Sequence, residues 1–316
     1  MSQDVSRKDL RVLLTGASGQ VGGDLFSLLQ PFAEVIAPSR AELDLSDAQT
    51  IGKYVHDVNP QWIINPAAYT AVDKSESEPD IAYAINAEAP RALGETAAEL
   101  HIPIIHFSTD YVFAGEGTTP WKESDATGPL GVYGTSKLAG EIALAASGAA
   151  HLIFRTSWVY SGRGKNFLLT ILKLAQQKEE LRIVDDQHGA PTWSRDLGKM
   201  VAHILKRTSE QKSTTGLSAE EVVRGAKGIY HAAAGGETTW FGFAQEFLRV
   251  AATIRPNFKL ARLVPVPSSE YPTPARRPAN SRLDCSRLRQ VFGFTMPKWQ
   301  ESVPTVVAEV LAERVT

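Results

Sequence analysis

Arg11-Val12-Leu13-Leu14-Thr15-Gly16-Ala17-Ser18-Gly19-Gln20-Val21-Gly22 joins a short apolar strand to the start of a helix through a GxxGxxG loop. Each glycine in that spacing serves a dinucleotide. Gly16 allows the tight turn, Gly19 lets backbone N–H groups approach a pyrophosphate at the helix N-terminus, and Gly22 permits close packing of helix on strand. A glycine triplet alone is a weak signal. Its place between a first strand and a first helix, with further strand–helix units behind it, predicts a nucleotide-binding parallel sheet.

Those units are legible downstream. Short apolar runs at 11–14, 34–37, 62–64, 102–107 and 152–154 alternate with helical stretches at 21–30, 47–58, 81–100 and 133–146. Near-continuous apolar strands separated by helices mean a parallel sheet covered on both faces, so the fold class is α/β, a Rossmann-type doubly wound sheet. After about Trp158 the pattern loosens, with helices at 167–178 and 196–206, a strand at 228–232 and a closing helix at 303–313. The polar run 206–228 reads as a surface loop or irregular helix. Five prolines from Pro265 to Pro278 forbid a long helix there and favour extended chain along the surface or a cleft. The expected organisation is a Rossmann domain over 9–158 and a smaller α/β substrate-binding lobe over 159–316, with segments crossing back to the first.

At 316 residues the chain has room for one large or two modest domains. Lys plus Arg number 33 against 35 Asp plus Glu, a formal net charge of -2 with no basic block, so nucleic acid and anionic membrane are not expected partners. The single cysteine, Cys285, excludes an intramolecular disulfide framework and a Cys-based zinc site, and it fits a reducing, cytoplasmic compartment. Residues 1–11 are too charged for a signal-peptide core, and the longest mostly apolar stretch, 142–154, has 13 residues, short of the ~18 that a spanning helix needs.

Gly16, Gly19, Gln20, Val21 and Gly22 are the expected cofactor contacts of the loop. NAD sites place an acid at the end of the second strand to accept from the ribose 2′-OH, whereas this chain has Pro38-Ser39-Arg40. A hydroxyl and a guanidinium welcome a 2′-phosphate, so NADPH is expected ahead of NADH. Asp44 and Leu45 are expected at the adenine end, and Ala68, Tyr69 and Thr70, at the tip of the third strand, along the crevice.

Tyr133-Gly134-Thr135-Ser136-Lys137 puts a phenol and an ammonium at i and i+4 on one helix face. Reducing a ketone by hydride also requires a proton for the nascent alkoxide, and a free tyrosine, with a pKa near 10, is a slow donor. A lysine cation nearby favours the phenolate, so Lys137 is expected to lower the Tyr133 pKa. Ser108, Thr109 and Asp110 follow the strand at 102–107 and so sit at its carboxyl end, where ligands of open parallel sheets bind. A hydroxyl there can bond both a substrate carbonyl and the Tyr133 phenol. The sequence has no His-Glu-x-x-His, Cys-x-x-Cys or Gly-x-Ser-x-Gly. Its seven histidines are scattered, and His106 reads as a packed strand residue rather than a ligand.

A glycine loop followed by Thr109, Tyr133 and Lys137 resembles the short-chain dehydrogenase/reductase superfamily, in its extended branch acting on nucleotide sugars. Within that branch the chain resembles the dTDP-4-dehydrorhamnose reductases, through Thr70-Ala71-Val72-Asp73-Lys74-Ser75-Glu76, Ser108-Thr109-Asp110-Tyr111-Val112-Phe113, Phe154-Arg155-Thr156-Ser157-Trp158-Val159-Tyr160 and Tyr271-Pro272-Thr273-Pro274-Ala275-Arg276-Arg277-Pro278. The resemblance implies reduction of the C4 ketone of dTDP-6-deoxy-L-lyxo-4-hexulose. It makes Tyr133 the general acid, Lys137 its partner and a cofactor contact, and Thr109 the residue adjusting its pKa. Thr109, Asp110 and Trp158 then face the sugar nucleotide, although a Trp beside a strand is as often core. Arg276 and Arg277 can grip a diphosphate, with surface charge the simpler reading for at least one of them. Related dehydratases carry a Glu after the Thr-Asp pair, and Tyr111 here disfavours dehydration.

Some members of the family form a homodimer around magnesium and carboxylates. Asp24 stands near one expected Glu and Glu309 can supply another, but Arg195 or Asp196 occupies the third region, so these residues leave magnesium unassigned, with a homodimer as the expected partner. Two rival readings share these residues: a regulatory subunit that keeps the cofactor without turnover, and a reductase of another 4-keto-deoxy-sugar nucleotide. Intact Thr109, Tyr133 and Lys137 favour catalysis.

Overall fold

Val12, Leu13 and Leu14 are fully buried although they alternate between the two faces of a sheet, which is why the first strand reads as an unbroken apolar run. The computed structural model describes residues 10–257 and 260–313; the charged stretch 1–9, with the first residue of the expected Rossmann domain, and residues 314–316 lie outside the described residues. The first half runs β1 (Arg11–Leu14), α1 (Gln20–Leu29), β2 (Glu34–Ile36), α2 (Ala48–Val58), β3 (Trp62–Asn65), α3 (Val72–Ser75), α4 (Pro79–Tyr83), α5 (Ala89–Glu99), β4 (Ile104–Thr109), α6 (Val132–Ala146) and β5 (His151–Thr156). The second half runs β6 (Val159–Tyr160), α7 (Phe167–Ala175), β7 (Glu180–Val184), β8 (His188–Gly189), β9 (Thr192–Trp193), α8 (Ser194–Thr215), α9 (Ala219–Gly225), β10 (Gly228–His231), β11 (Thr238–Thr239), α10 (Trp240–Ile254), β12 (Arg262–Val266), α11 (Ser286–Phe292) and α12 (Trp299–Glu313).

Six strands form one parallel sheet in the order β2-β1-β3-β4-β5-β10. On one face Leu25 and Leu29 of α1 and Leu197, Met200 and Ile204 of α8 share a core with Val12, Leu14 and Ile64. On the other, Ile51, Val55, Leu93 and Leu144 from α2, α5 and α6 pack with Leu13, Ile63 and Ile153. A separate cluster, including Tyr160, Leu168, Phe243, Phe247, Trp299 and Val306, makes the core of a second lobe from α7, α10, α12 and the ribbon β7–β12. Among the described residues no helix is long and apolar enough to cross a membrane.

Two segments depart from the sequence pattern. The stretch expected as one helix over 81–100 starts at Pro79, a residue suited to a first helical turn, and is interrupted by a π-turn at Ala84–Glu88. There α6 meets it backbone to backbone: a Cβ on Gly140 would fall 2.0 Å from the Asn86 carbonyl oxygen. Of the two forms expected for 206–228, loop or irregular helix, the structure takes the helical one, as two regular helices joined by a short break. Helix α8 continues to Thr215, ends on Gly216 in the left-handed conformation (φ 76°), and is followed by α9, which starts on a Ser218–Glu221 capping box. Beyond Thr208, the last buried residue of α8, that helix has no apolar stripe to betray it, because its end projects into solvent.

A buried ion pair ties α6 to β5. Arg155 Nε and Nη2 donate to the Glu141 carboxylate at 2.9 and 2.6 Å, with both side chains 2% exposed, and the guanidinium also faces the Phe113 ring at 4.9 Å. Removing one partner leaves a buried charge unanswered. Urea unfolding should show Glu141→Leu destabilised by about 3–5 kcal/mol, whereas Lys53→Ala, which breaks an exposed pair with Asp57, should cost less than ~1 kcal/mol.

Candidate active site

β1 bonds to β2 on one side and to β3 on the other, so the chain's connections diverge above its carboxyl end, and a crevice opens there. A cleft of about 1000 Å³ runs from this point past the carboxyl ends of β3 and β4 to the second lobe. Gly16, Gly19, Gln20, Val21 and Gly22 all line it. Gly16 turns the chain with φ 61°, and a Cβ there would sit 2.9 Å from Ala67 Cα. The close approach that Gly22 permits is to the loop rather than to a strand, since a Cβ on it would fall 2.1 Å from the Gly16 carbonyl oxygen. Gly19 caps α1 without any side-chain bond, which leaves the first N–H groups of the helix open to an anion.

Ser39, Arg40, Asp44 and Leu45 line the far end. Arg40 Nε lies 3.7 Å from the Asp44 carboxylate, and the Ser46 amide and hydroxyl, donating to Asp44 at 2.9 and 2.7 Å, hold that carboxyl below its usual range. Glu42, which sequence reasoning missed, also lines this end and accepts from the Ser39 N–H at 2.7 Å and the Ser39 hydroxyl at 2.8 Å. The Ser-x-x-Glu spacing of a capping box was the available signal. Ala68 and Thr70 border the cleft, but Tyr69 is not among the lining residues. Its N–H donates to Asn86 Oδ1 at 2.8 Å, Asn86 Nδ2 donates back to its carbonyl at 3.1 Å, and its hydroxyl bonds Glu78. The π-turn that carries Asn86 therefore pins the loop after β3.

Thr109, Asp110, Tyr133 and Lys137 meet midway along the cleft. Helix α6 comes this close because Gly134 has no side chain: a Cβ would sit 2.2 Å from the Tyr111 carbonyl oxygen. Glu76 accepts from the Val132 N–H at the helix start, and the Tyr111 ring stands edge-on to Tyr133 at 5.4 Å. Burial pushes the Tyr133 phenol up to about 12, with the Thr109 hydroxyl opposing the rise. Burial also lowers Lys137 to about 8, opposed by Glu141. The net shift of Tyr133 is thus upward, with burial as its largest cause, while the lysine turns to β4: Nζ donates to the Phe107 carbonyl at 2.7 Å and lies 3.2 Å from His106 Nε2. Asp110 is pushed up to about 6 by burial, with the Ser281 and Thr109 hydroxyls pulling it back. Thr109 donates to Asp110 Oδ1 at 3.1 Å and accepts from the Tyr111 N–H at 3.2 Å.

Trp158 lies in the cleft wall, half-buried, rather than in the core. Its backbone takes φ 48°, and its indole stacks on Trp240 with centroids 3.8 Å apart and planes 12° apart. It lies against Gly189, where a Cβ would come 2.6 Å from the indole Cε2. Trp240 and Lys165 complete this end and carry no motif that would have announced them. Arg276 is exposed and outside the cleft lining, while Arg277 donates to Asp73 at 2.7 Å. Asp24 accepts from Arg163 at 3.0 Å, and Glu309 takes both Arg195 nitrogens at 2.7 and 3.0 Å. Carboxylates already answered by arginines do not fit magnesium, and among the described residues no group of three or more His, Cys, Asp or Glu is placed to hold a metal ion. Cys285 lines a different, smaller cavity of about 190 Å³.

The family described as RmlD substrate binding domain matches residues 10–312. A dTDP-4-dehydrorhamnose reductase of Shigella flexneri is 43% identical over 305 residues, covering 95% of this chain and 98% of that protein. The structure of such a reductase from Clostridium acetobutylicum superposes with a TM-score of 0.85 at 32% identity, covering 96% of this chain and 100% of the other. The Bacillus anthracis reductase, solved in complex with NADP, gives a TM-score of 0.84 at 32% identity over 95% and 99% of the two chains.

The glycine contacts generate a direct test. Gly22→Ala should weaken NADPH binding, read by tryptophan fluorescence, by about tenfold or more, the equivalent of ~1.4 kcal/mol. Gly225→Ala, where a Cβ meets nothing within 4 Å, should leave it unchanged.

Proposed function

The chain belongs to the RmlD substrate binding domain family, the family of the dTDP-4-dehydrorhamnose reductases, and from that membership we propose that it reduces the C4 ketone of dTDP-6-deoxy-L-lyxo-4-hexulose to dTDP-L-rhamnose, using NADPH and Tyr133 as proton donor. The observation that carries this reading is the convergence of Thr109, Tyr133 and Lys137 in one cleft that is also lined by the open N-terminus of α1.

NADPH, when bound, supplies the hydride. The α1 N–H groups hold its diphosphate, and Ser39 with Arg40 receives the 2′-phosphate. Glu42 works against that phosphate by repulsion and by occupying the Ser39 donors, and it offers an acceptor to a free 2′-OH, so NADH remains usable. Thr109 and Tyr133 hydrogen-bond the ketone oxygen. As that oxygen gains negative charge it takes the Tyr133 proton, and hydride plus proton complete the alcohol. Held at about 12, the phenol is fully protonated at neutral pH, the state a donor requires. The tyrosinate left behind is stabilised by the Lys137 ammonium one helical turn on. Asp110 takes sugar hydroxyls, the Trp158–Trp240 stack offers an apolar face to the deoxysugar or base, and Lys165 faces the substrate diphosphate. The second lobe, with its own core, closes over the sugar nucleotide. Tyr111 is kept neutral by burial, which pushes its phenol above the ordinary range, so it supplies no base for dehydration. The lone cysteine supports a cytoplasmic site of action.

With the keto-sugar nucleotide, NADPH absorbance should fall with time, and Tyr133→Phe should lower kcat by about 10²–10⁴-fold while nucleotide binding is retained. A wild-type chain that binds NADPH yet oxidises none would instead be the regulatory subunit, and an unimpaired Tyr133→Phe would remove Tyr133 as the acid. A separate comparison of kcat/KM should favour NADPH over NADH by roughly fivefold, about 1 kcal/mol. Glu42→Gln should widen that ratio, and a clear NADH preference would contradict the assignment of Ser39 and Arg40.

A further inference from the structure

The reaction as derived leaves a line of buried polar groups behind Lys137 unused. Lys137 Nζ lies 3.2 Å from His106 Nε2, His106 Nδ1 lies 3.1 Å from the Asn65 amide nitrogen, and the Asn65 amide oxygen is 2.6 Å from the Thr15 hydroxyl. Asn65 and His106 are register partners across β3 and β4, so their side chains share a face of the sheet, and both are fully buried. The line crosses three adjacent strands, from the middle of β4 through the end of β3 to Thr15 after β1, which lines the cleft beside the glycine loop.

We propose that His106, held by Asn65, is a positioning residue for Lys137: it fixes Nζ against β4 and lets the lysine pass between its two protonation states without leaving a buried group unpaired. The proposal rests on the Tyr133–Lys137 reading above. When Lys137 is charged, Nζ donates to Nε2, and the Asn65 amide, turned over by 180° from the orientation seen here, accepts from Nδ1–H with its oxygen and donates to Thr15 with its nitrogen. When it is neutral, Nε2–H donates to Nζ, the amide nitrogen donates to Nδ1, and the Thr15 hydroxyl donates to the amide oxygen. Each member is satisfied in either state, since a neutral imidazole and a primary amide each offer one donor and one acceptor side. His106 stays neutral because burial and the neighbouring ammonium hold its pKa well below the ordinary value.

The other groups facing Lys137 are few. Tyr133 and Glu141 come from its own helix, with Glu141 committed to Arg155 of β5. Thr109, Asp110 and Tyr111, from the end of β4 and the turn after it, line the same cleft as Lys137. Among the described residues the Phe107 carbonyl is the one further acceptor bonded to Nζ. Removing His106 therefore takes away an acceptor from a buried ammonium and makes it easier to deprotonate. The charged form, present below about 8, is lost as pH rises, and the alkaline limb of activity moves down.

The test uses the full chain with His106→Phe and His106→Gln, following kcat, KM and the pH profile with NADPH and the keto-sugar nucleotide. His106→Phe should lower kcat by about 10- to 100-fold with KM within roughly threefold, and shift the alkaline limb down by about one pH unit. His106→Gln, whose amide can face Nζ with oxygen or nitrogen, should keep kcat within about threefold. A wild-type profile in His106→Phe overturns the proposal, as does an equal loss in both variants with an unmoved limb, the pattern of simple packing damage. If His106→Phe fails to fold, Asn65→Ala takes its place: a lowered limb supports the proposal and an unmoved one overturns it. Should the wild-type chain not turn over, the reductase reading fails by itself, and the Lys137 side-chain NMR titration decides the inference alone: a midpoint lowered in the variant supports it, and an unchanged midpoint overturns it.

Discussion

Lys137 carries an ammonium into a place where only 1% of the residue meets solvent, and the segments around it are arranged so that this charge is answered. The Phe107 carbonyl and the His106 ring receive it from β4, and Glu141, one turn along α6, favours the charged form from the other side. An unanswered buried charge costs several kcal/mol, so α6 and β4 cannot drift apart without a large penalty. The same docking sets Tyr133 beside Thr109. Chemistry and stability therefore share one contact surface.

Two glycines make that surface. Gly134 lets the first turn of α6 press on the Tyr111 carbonyl, and Gly140 lets its middle press on the π-turn at Asn86. The π-turn in turn clamps Tyr69 and so shapes the loop between Ala68 and Thr70 that borders the cleft. Helix α6 thus positions both an acid at its start and, through Asn86, a wall of the crevice. The glycine loop after β1 and the Trp158–Trp240 stack close the two ends.

The sheet and the glycine loop were legible because their physics is local. Strands buried on both faces show as apolar runs, and a loop that must admit an anion at a helix start shows as glycines at fixed spacing. The Tyr133–Lys137 pair was legible for the same reason, since i and i+4 share a helix face. What the sequence concealed is tertiary. No pattern reveals that Lys137 turns to His106 and Phe107, that Glu42 reaches back to Ser39, or that Trp240, 82 positions after Trp158, stacks on it. Arg276 stood in a proline-rich stretch suggestive of a cleft, yet it faces solvent outside the lining, while its neighbour Arg277 is engaged by Asp73. Polar composition hid the end of α8, where capping by Gly216 rather than an apolar stripe sustains the helix.

The central claim is that hydride and proton are delivered to opposite ends of one carbonyl in this cleft. NADPH labelled with deuterium at the transferable position of its nicotinamide, incubated with the 4-keto-6-deoxy sugar nucleotide and the full chain, allows the product to be read by NMR. The account predicts one deuterium on C4 of the new alcohol and none elsewhere. Deuterium on another carbon, or an alcohol formed without label, would contradict it.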